Sequence, residues 1–231
     1  MIDDTAPLRI CQLNVNKSNT AQSAFLHDIT DFDVVALQEP HIDFLKNTCA
    51  SYNWKVIYPT NHKDNEAMTR SIIMINTRRS TNTWTPLAVN SPDIAAVSLR
   101  TSTGIIHIYS VYNPQDSDDA QTALARLTRT ALCEETDGDT RDHHILWLGD
   151  FNWHHPLWDD ERNRHLFTNA NLDRSERLIT LLSTFDMHML LPPSLPTLEA
   201  HRTKNYTSPD NVFASKNLVD RLTCCNVAPH L

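Results

Sequence analysis

His144-Ile145-Leu146-Trp147-Leu148-Gly149-Asp150-Phe151-Asn152 is the stretch of this chain that decides its fold. From His144 to Gly149 it is short, continuous and apolar, the pattern of a strand buried on both faces. It then breaks into an acid and an amide two residues apart. Residues two apart on extended backbone point to the same side, so Asp150 and Asn152 face one pocket together. Taken alone, Gly149-Asp150-x-Asn152 also reads as a strand-to-turn signal, with Asn152 capping the turn.

Other strands end in the same way. Leu8 to Val15 alternates apolar and polar residues, reads as a strand, and places Asn14 and Asn16 at its end. Asp33 to Gln38 is a short buried strand followed at once by Glu39-Pro40. A strand through Tyr109 ends in Tyr112-Asn113-Pro114, and Ser208-Pro209-Asp210-Asn211 precedes a strand around Val212-Phe213. Successive strand ends converge at one edge of a sheet, which gathers these carboxylates, amides and the tyrosine. A pocket of carboxylates and amides without cysteine suits a hard divalent cation such as Mg2+. Such a site suits phosphodiester chemistry, in which metal offsets phosphate charge and a carboxylate orients water. Each element taken singly is bland: an acid after a buried strand, such as Glu39, is commonly a helix cap or surface turn.

The rest of the chain supplies the frame. Helices are expected over Thr20 to Ile29, Asp118 to Cys133 and Asp173 to Phe185, and a helix or loop around His41 to Ser51. Further strands are expected over Lys55 to Tyr58, Arg70 to Asn76 and His188 to Leu191, the last stopping at Pro192-Pro193. Ile94 to Arg100 and Gly104 to Tyr112 form a hairpin, and Glu134 to Asp142 reads as an exposed loop. Hairpins mixed with β-helix-β units imply an α/β fold, with two packed mixed β-sheets and helices outside, in a single domain over 1–231.

Composition bounds the function. The chain has 231 residues, 40% apolar and 21% charged, enough for a sizeable core. Its net charge of -8 argues against a basic protein that coats nucleic acid by charge alone. There are three glycines, where average usage gives about 16, so no glycine-cradled phosphate loop can be written. Five cysteines without a C-x-x-C pattern make a disulfide framework an unsuitable reading, and Cys11 reads as a buried thiol. No apolar run is long enough to cross a membrane, and the acidic start Met1-Ile2-Asp3-Asp4 lacks a signal pattern, so an intracellular protein is expected.

In this order, Asn14-x-Asn16, Gln38-Glu39-Pro40, Tyr112-Asn113-Pro114, Gly149-Asp150-Phe151-Asn152 and Ser208-x-Asp210 resemble the motifs of the endonuclease/exonuclease/phosphatase superfamily. That is the fold of deoxyribonuclease I and the apurinic/apyrimidinic endonucleases. The string from Gly149 through Trp153-His154-His155-Pro156-Leu157-Trp158 is most similar to the endonuclease domain of LINE-type non-LTR retrotransposons and their fungal relatives. The resemblance spans residues 8 to about 214. It implies a four-layer α/β sandwich. It implies that Glu39 binds the metal, Mg2+ with Mn2+ as the alternative, with Asn16 beside it. Asn14 and Asn152 would hold the scissile phosphate or attacking water, and Asp150 would orient and deprotonate that water. Tyr112 would donate to a phosphate oxygen, and Asp210 would orient a catalytic histidine. Asn113, His155 and Arg70 are expected on the substrate side; the plainer reading of His155 is a residue packing beneath the site. Arg78, Arg79 and Arg162 are further candidates for phosphate contact, with solvated surface as their plainer reading. Trp158 is expected in the core and Trp153 near the substrate. His154, His155 and His165 have no regular ligand spacing for zinc.

The family closes on a Ser/Thr-Asp-His triplet, and no such string occurs in this sequence; His230 follows Ala228-Pro229. The chain is therefore expected to lack its last strand, the phosphate-contacting histidine and the neighbouring aspartate, as a fragment or a degenerate copy of a mobile-element gene. The leading expectation is a Mg2+-dependent DNA endonuclease that nicks duplex DNA for a retroelement. The alternatives are a catalytically inactive remnant and a phosphatase or phosphodiesterase acting on a small phosphoester. The expected partners are duplex DNA and a reverse transcriptase domain in a longer polyprotein, with no membrane. A monomer is expected, nuclear if it acts on chromosomal DNA.

Overall fold

Strands that are apolar on both faces must be covered on both, and this requirement builds the molecule outward from its sheets. The computed structural model describes residues 7–60, 62–65, 69–133, 141–199 and 204–228. The first sheet holds β1 (Ile10–Asn14), β2 (Val34–Gln38), β3 (Trp54–Ile57) and β4 (Ser71–Asn76) in the order β1-β2-β4-β3. β1 and β2 run parallel, joined by α1 (Asn19–Asp28), and the other pairs are antiparallel. The Ser18 hydroxyl caps α1 by accepting from the Ala21 amide. Phe25, Leu26 and Ile29 then seal the outer face of this sheet against Val35, Leu37, Ile72 and Met74.

The second sheet contains β5 (Trp84–Pro86), β6 (Ile94–Thr101), β7 (Gly104–Tyr112), β8 (His143–Asp150), β9 (Met187–Met189) and β12 (Asp210–Ser215), ordered β5-β6-β7-β8-β12-β9. Between the last two in sequence lies a small ribbon, β10 (Leu198–Glu199) with β11 (Tyr206–Thr207). α3 (Asp119–Cys133) and α4 (Asn169–Thr184) cover its outer face, where Leu124, Leu127 and Leu178 meet Tyr109, Ile145, Trp147 and Phe213. Thr128 accepts the Trp147 indole N–H at 3.1 Å, so the largest core side chain is hydrogen-bonded as well as packed. The inner faces of the two sheets meet through Val34, Ala36, Ile73 and Ile75 on one side and Ala95, Val97, Ile108, Leu146 and Leu148 on the other. The layers are helix, sheet, sheet, helix, as expected.

The short elements were not legible. α2 (His62–Asn65), α5 (Lys216–Val219), β5, β10, β11 and a 3-10 helix over Glu161–Leu166 are too short to show a period. α4 begins at Asn169 rather than Asp173 because the Thr168 hydroxyl caps it. The segment around His41 to Ser51 is a turn with an Ile42–Thr48 bridge, not a helix. Trp153, expected near the substrate, is 4% exposed and packed in the outer core; Trp158, expected in the core, is there at 2%. Cys11 is half-buried, with its thiol pushed up to about 11 by burial, and no disulfide joins the five cysteines. Residues 134–140 of the expected acidic loop, and His230, lie outside the described residues. Among the described residues no helix is long and apolar enough to cross a membrane.

Gly149 fixes the end of β8. Its φ is +150°, and a Cβ there would stand 1.9 Å from the Val111 carbonyl oxygen of the parallel neighbour β7. Neither the backbone angle nor the approach tolerates a side chain. Gly149→Ala is expected to cost about 2 kcal/mol or more in urea unfolding. Wild-type stability in that variant would contradict this packing.

Candidate active site

The strand registers bring the polar ends together. Asn14 stands opposite Gln38 in the first sheet, and Asp150 stands between Tyr112 and Asp210 in the second. Across the gap between the sheets, the Asn14 amide donates to Asp150 Oδ2 at 2.8 Å and to Glu39 Oε2 at 3.2 Å. One side chain of β1 thus holds a carboxylate from each sheet. Lys17 Nζ lies 3.9 Å from Glu39 Oε1 and supplies positive charge at the rim. The Asn14 oxygen is itself occupied, accepting the Asn16 amide N–H at 2.8 Å.

Below this contact runs a polar seam that the sequence reading missed. Gln12 Nε2 donates to Asp210 Oδ1 at 2.8 Å and to Gln38 Oε1 at 2.6 Å, and Gln38 Nε2 donates to Ser110 Oγ at 2.8 Å. The Thr197 hydroxyl donates to Asp210 Oδ2 at 2.9 Å. Both carboxylate oxygens of Asp210 are therefore occupied without a histidine. The available signal was parity: Gln12 lies two residues before Asn14 and shares its face.

The backbone is strained at the same rim. Asn16 (φ 46°), Lys17 (59°), Glu39 (46°) and Asn152 (57°) are left-handed, half of the eight such non-glycine residues among those described. Asparagine tolerates this region, but lysine and glutamate pay for it. Strain collected at the ends of three strands that also carry the carboxylates is characteristic of a functional site.

Electrostatics follow from burial and like charge. Asp150 is 7% exposed. Burial first, then the neighbouring Asp210 charge, push its carboxyl up to about 7; hydrogen bonds from Asn14 and Asn152 oppose this, and Glu39 adds to it. Burial also raises Asp210 against its bonds from Gln12 and Thr197. Burial raises Tyr112, and the charges of Glu39 and Asp150 raise it further, which places its hydroxyl in the field of both carboxylates.

The structure distributes the other expected residues unevenly. Asn152 approaches the site through its backbone, donating N–H to Asp150 Oδ1 at 3.0 Å, while its side-chain amide donates to the Asn113 carbonyl at 3.1 Å. Asn113 is 1% exposed; its amide donates to the Phe151 carbonyl at 3.0 Å, so it latches the β7 and β8 ends together instead of facing substrate. Arg70 grips Asp93 with two nitrogens and lies 5.4 Å from the Tyr112 ring centre, where it orients the tyrosine. His155 Nδ1 accepts the Leu157 amide at 3.1 Å, and its ring rests against Trp158. His154 bonds Asp159, whose other oxygen accepts the Ser208 amide at 2.8 Å, tying this segment to the strand that carries Asp210. Arg78 and Arg79 are both committed to Asp33, Arg162 pairs with Asp160, and His165 contacts Asn205.

The donor set suits a hard cation. Carboxylate oxygens of Glu39 and Asp150 meet at one amide, a third acid lies beside them, and burial together with that like charge raises Asp150. Among the described residues no group of three acidic, histidine or cysteine side chains forms a closed metal cage. Mg2+ keeps waters and binds through one or two carboxylates plus phosphate, and Glu39 and Asp150 are carboxylates of that kind.

Residues 106–231 match the protein family described as endonuclease-reverse transcriptase. No curated protein matches the chain. Among solved structures, the endonuclease domain of TRAS1, a telomere-specific non-LTR retrotransposon, is 19% identical with a TM-score of 0.66, covering 93% of this chain and 88% of that one. The AP endonuclease LMAP from Leishmania major is 12% identical at a TM-score of 0.69, covering 95% and 82%. The 3' phosphatase NExo from Neisseria, bound to product DNA hairpin, is 17% identical at 0.59, covering 93% and 89%. These likenesses establish the two-sheet fold.

The Asp150 shift has a testable sign. Its folded value, about 7, lies above the unfolded value near 4. Its contribution to stability is therefore full below about 4 and is lost as pH rises to about 7. In metal-free buffer the stability difference between wild type and Asp150→Ala should fall by roughly 2 kcal/mol from pH 5 to pH 8. A difference independent of pH contradicts the shift.

Proposed function

The chain belongs to the endonuclease-reverse transcriptase family, and on that premise we propose that it is a Mg2+-dependent endonuclease of retroelement origin that nicks duplex DNA. The observation that carries this reading is the Asn14 amide shared by Glu39 and Asp150. It draws a metal-binding acid and a general base from different sheets onto one phosphodiester.

Glu39, with Asn16 beside it, would hold Mg2+, or Mn2+ in its place. When bound, the metal supplies Lewis-acid stabilisation of charge on the phosphate oxygens. Asp150 accepts a proton from water as that water attacks phosphorus in line with the leaving oxygen. A carboxyl near 7 is matched to this work at neutral pH. Its orientation is fixed on both sides, by Asn14 at Oδ2 and the Asn152 amide at Oδ1. Tyr112, steadied by Arg70, donates its hydroxyl to a non-bridging phosphate oxygen. Gln12 and Thr197 bond the charged form of Asp210, against the burial that raises it, and that charge keeps Asp150 basic. The family's own description supports a reverse transcriptase domain as partner, and the telomere-specific retrotransposon endonuclease among the similar structures supports a DNA target; the protein is nuclear if that target is chromosomal.

A second reading is favoured by one observation: Gln12 and Thr197 fill the acceptor oxygens of Asp210, where the superfamily resemblance implies a histidine. That arrangement suits an inactive copy of the domain. Plasmid nicking separates the two. With Mg2+ the protein is expected to convert supercoiled plasmid to open circles, and Asp150→Ala to slow this about 10²–10⁴-fold. Absence of nicking supports the inactive reading, and equal nicking by the variant removes Asp150 from the mechanism.

A further inference from the structure

Immediately beyond Glu39 the chain forms a turn that the reaction does not require. The Asp43 amide donates to the Asn47 carbonyl at 2.8 Å, and the Lys46 amide to the Asp43 carbonyl at 3.0 Å. The Asp43 carboxylate accepts the amides of Leu45 at 2.9 Å and Asn47 at 2.8 Å. Lys46 is left-handed, at φ 67°. The base of the turn is pinned as firmly. The His62 ring contacts the Lys46 carbonyl at 2.9 Å, Tyr58 accepts the Thr48 amide at 2.9 Å, and Gln22 bridges His41 to Thr48.

This rigid tip presents Phe44 at 91% exposure and Leu45 at 63%. The bonds fix the backbone of this tip, and its phenylalanine ring stands in solvent. Exposed apolar side chains on a rigid mount are the mark of a surface that awaits a partner. Beside the ring lies a cleft of about 320 Å³ whose lining carries the charged residues Lys17, Asp43 and Lys46 next to Phe44. Lys17 also faces Glu39, so cleft and catalytic rim share a wall.

We propose that this turn grips an unpaired nucleobase flanking the scissile phosphate: Phe44 stacks on the base while Lys17 and Lys46 hold its phosphates. An aromatic face beside ammonium groups is the composition of a single-strand platform, and it is tolerant of sequence because every base has a π-face. The charge fits as well. The Asp43 carboxylate accepts two of the turn's own amides through Oδ1, and the cleft sets two lysines against this one acid. The enzyme therefore favours duplexes with a mismatched, bulged or forked base beside the cut over fully paired ones. This inference rests on the nuclease reading, and its test separates the two.

Binding is measured with Asp150→Ala protein and a duplex bearing one unpaired 2-aminopurine, so that cleavage plays no part. Stacking is expected to quench the fluorophore. Phe44→Ala should abolish the quench and weaken binding about 5–100-fold, and Phe44→Trp should restore both. In the Asp150 enzyme, Phe44→Ala should erase the preference for mismatched over paired duplex. Plasmid nicking with binding and preference indifferent to Phe44 overturns the platform alone. Phe44-dependent stacking without nicking keeps the platform and overturns the enzyme reading. No binding of nucleic acid at all, or dimerisation of the chain that Phe44→Ala abolishes, overturns the platform.

Discussion

The Asn14 amide, placed between Glu39 and Asp150, is the contact on which the rest of the arrangement depends. It exists only because two sheets pack face to face with their polar strand ends at the same edge. The packing of Val34, Ala36 and Ile73 against Val97, Leu146 and Leu148 sets the gap that Asn14 spans. Apolar burial supplies the driving force, and the amide turns that undirected attraction into a fixed relation between two acids. The strain in Glu39 and Asn152 is tolerable for the same reason: the surrounding strands over-determine both positions.

The acids form a graded system. Glu39 is at the rim beside Lys17; Asp150 is buried and raised; Asp210 lies next to it, held by Gln12 and Thr197. Placing like charges side by side out of water keeps a proton on the Asp150–Asp210 pair when no cation is near. Arg70, the arginine beside Tyr112, is spent on Asp93, and both Arg78 and Arg79 are spent on Asp33. The acidic balance at the site is thus made compatible with a phosphate substrate by a cation and the rim lysines.

Much of this was legible in the sequence, for identifiable reasons. The long strands and helices show clear periods, and strand ends have short polar motifs that survive as strings. Glu39, Asn14, Tyr112, Asp150 and Asp210 were placed together because parity and strand direction are enough to aim them. What was hidden depends on contacts between distant residues. Gln12 meets Asp210 across 198 positions, and nothing local distinguishes it from a solvent-facing glutamine of an alternating strand. Asn113 reads like Asn14 or Asn152, yet its amide is spent on a neighbouring carbonyl. Trp153 follows the motif in sequence but turns into the outer core, and its carbonyl accepts the Trp158 indole. The turn after Glu39 was ambiguous because its order comes from one aspartate and from His62 and Tyr58, not from a period.

The central claim is that Asn14 poises Glu39 and Asp150 around one divalent cation. Anomalous scattering from crystals soaked in Mn2+ tests it most directly. The expected result is a single strong peak about 2.0–2.2 Å from a Glu39 carboxylate oxygen, on the side facing Asp150, that disappears in Glu39→Ala crystals. A peak elsewhere on the molecule with none at Glu39, or one that persists without the Glu39 carboxylate, would contradict it.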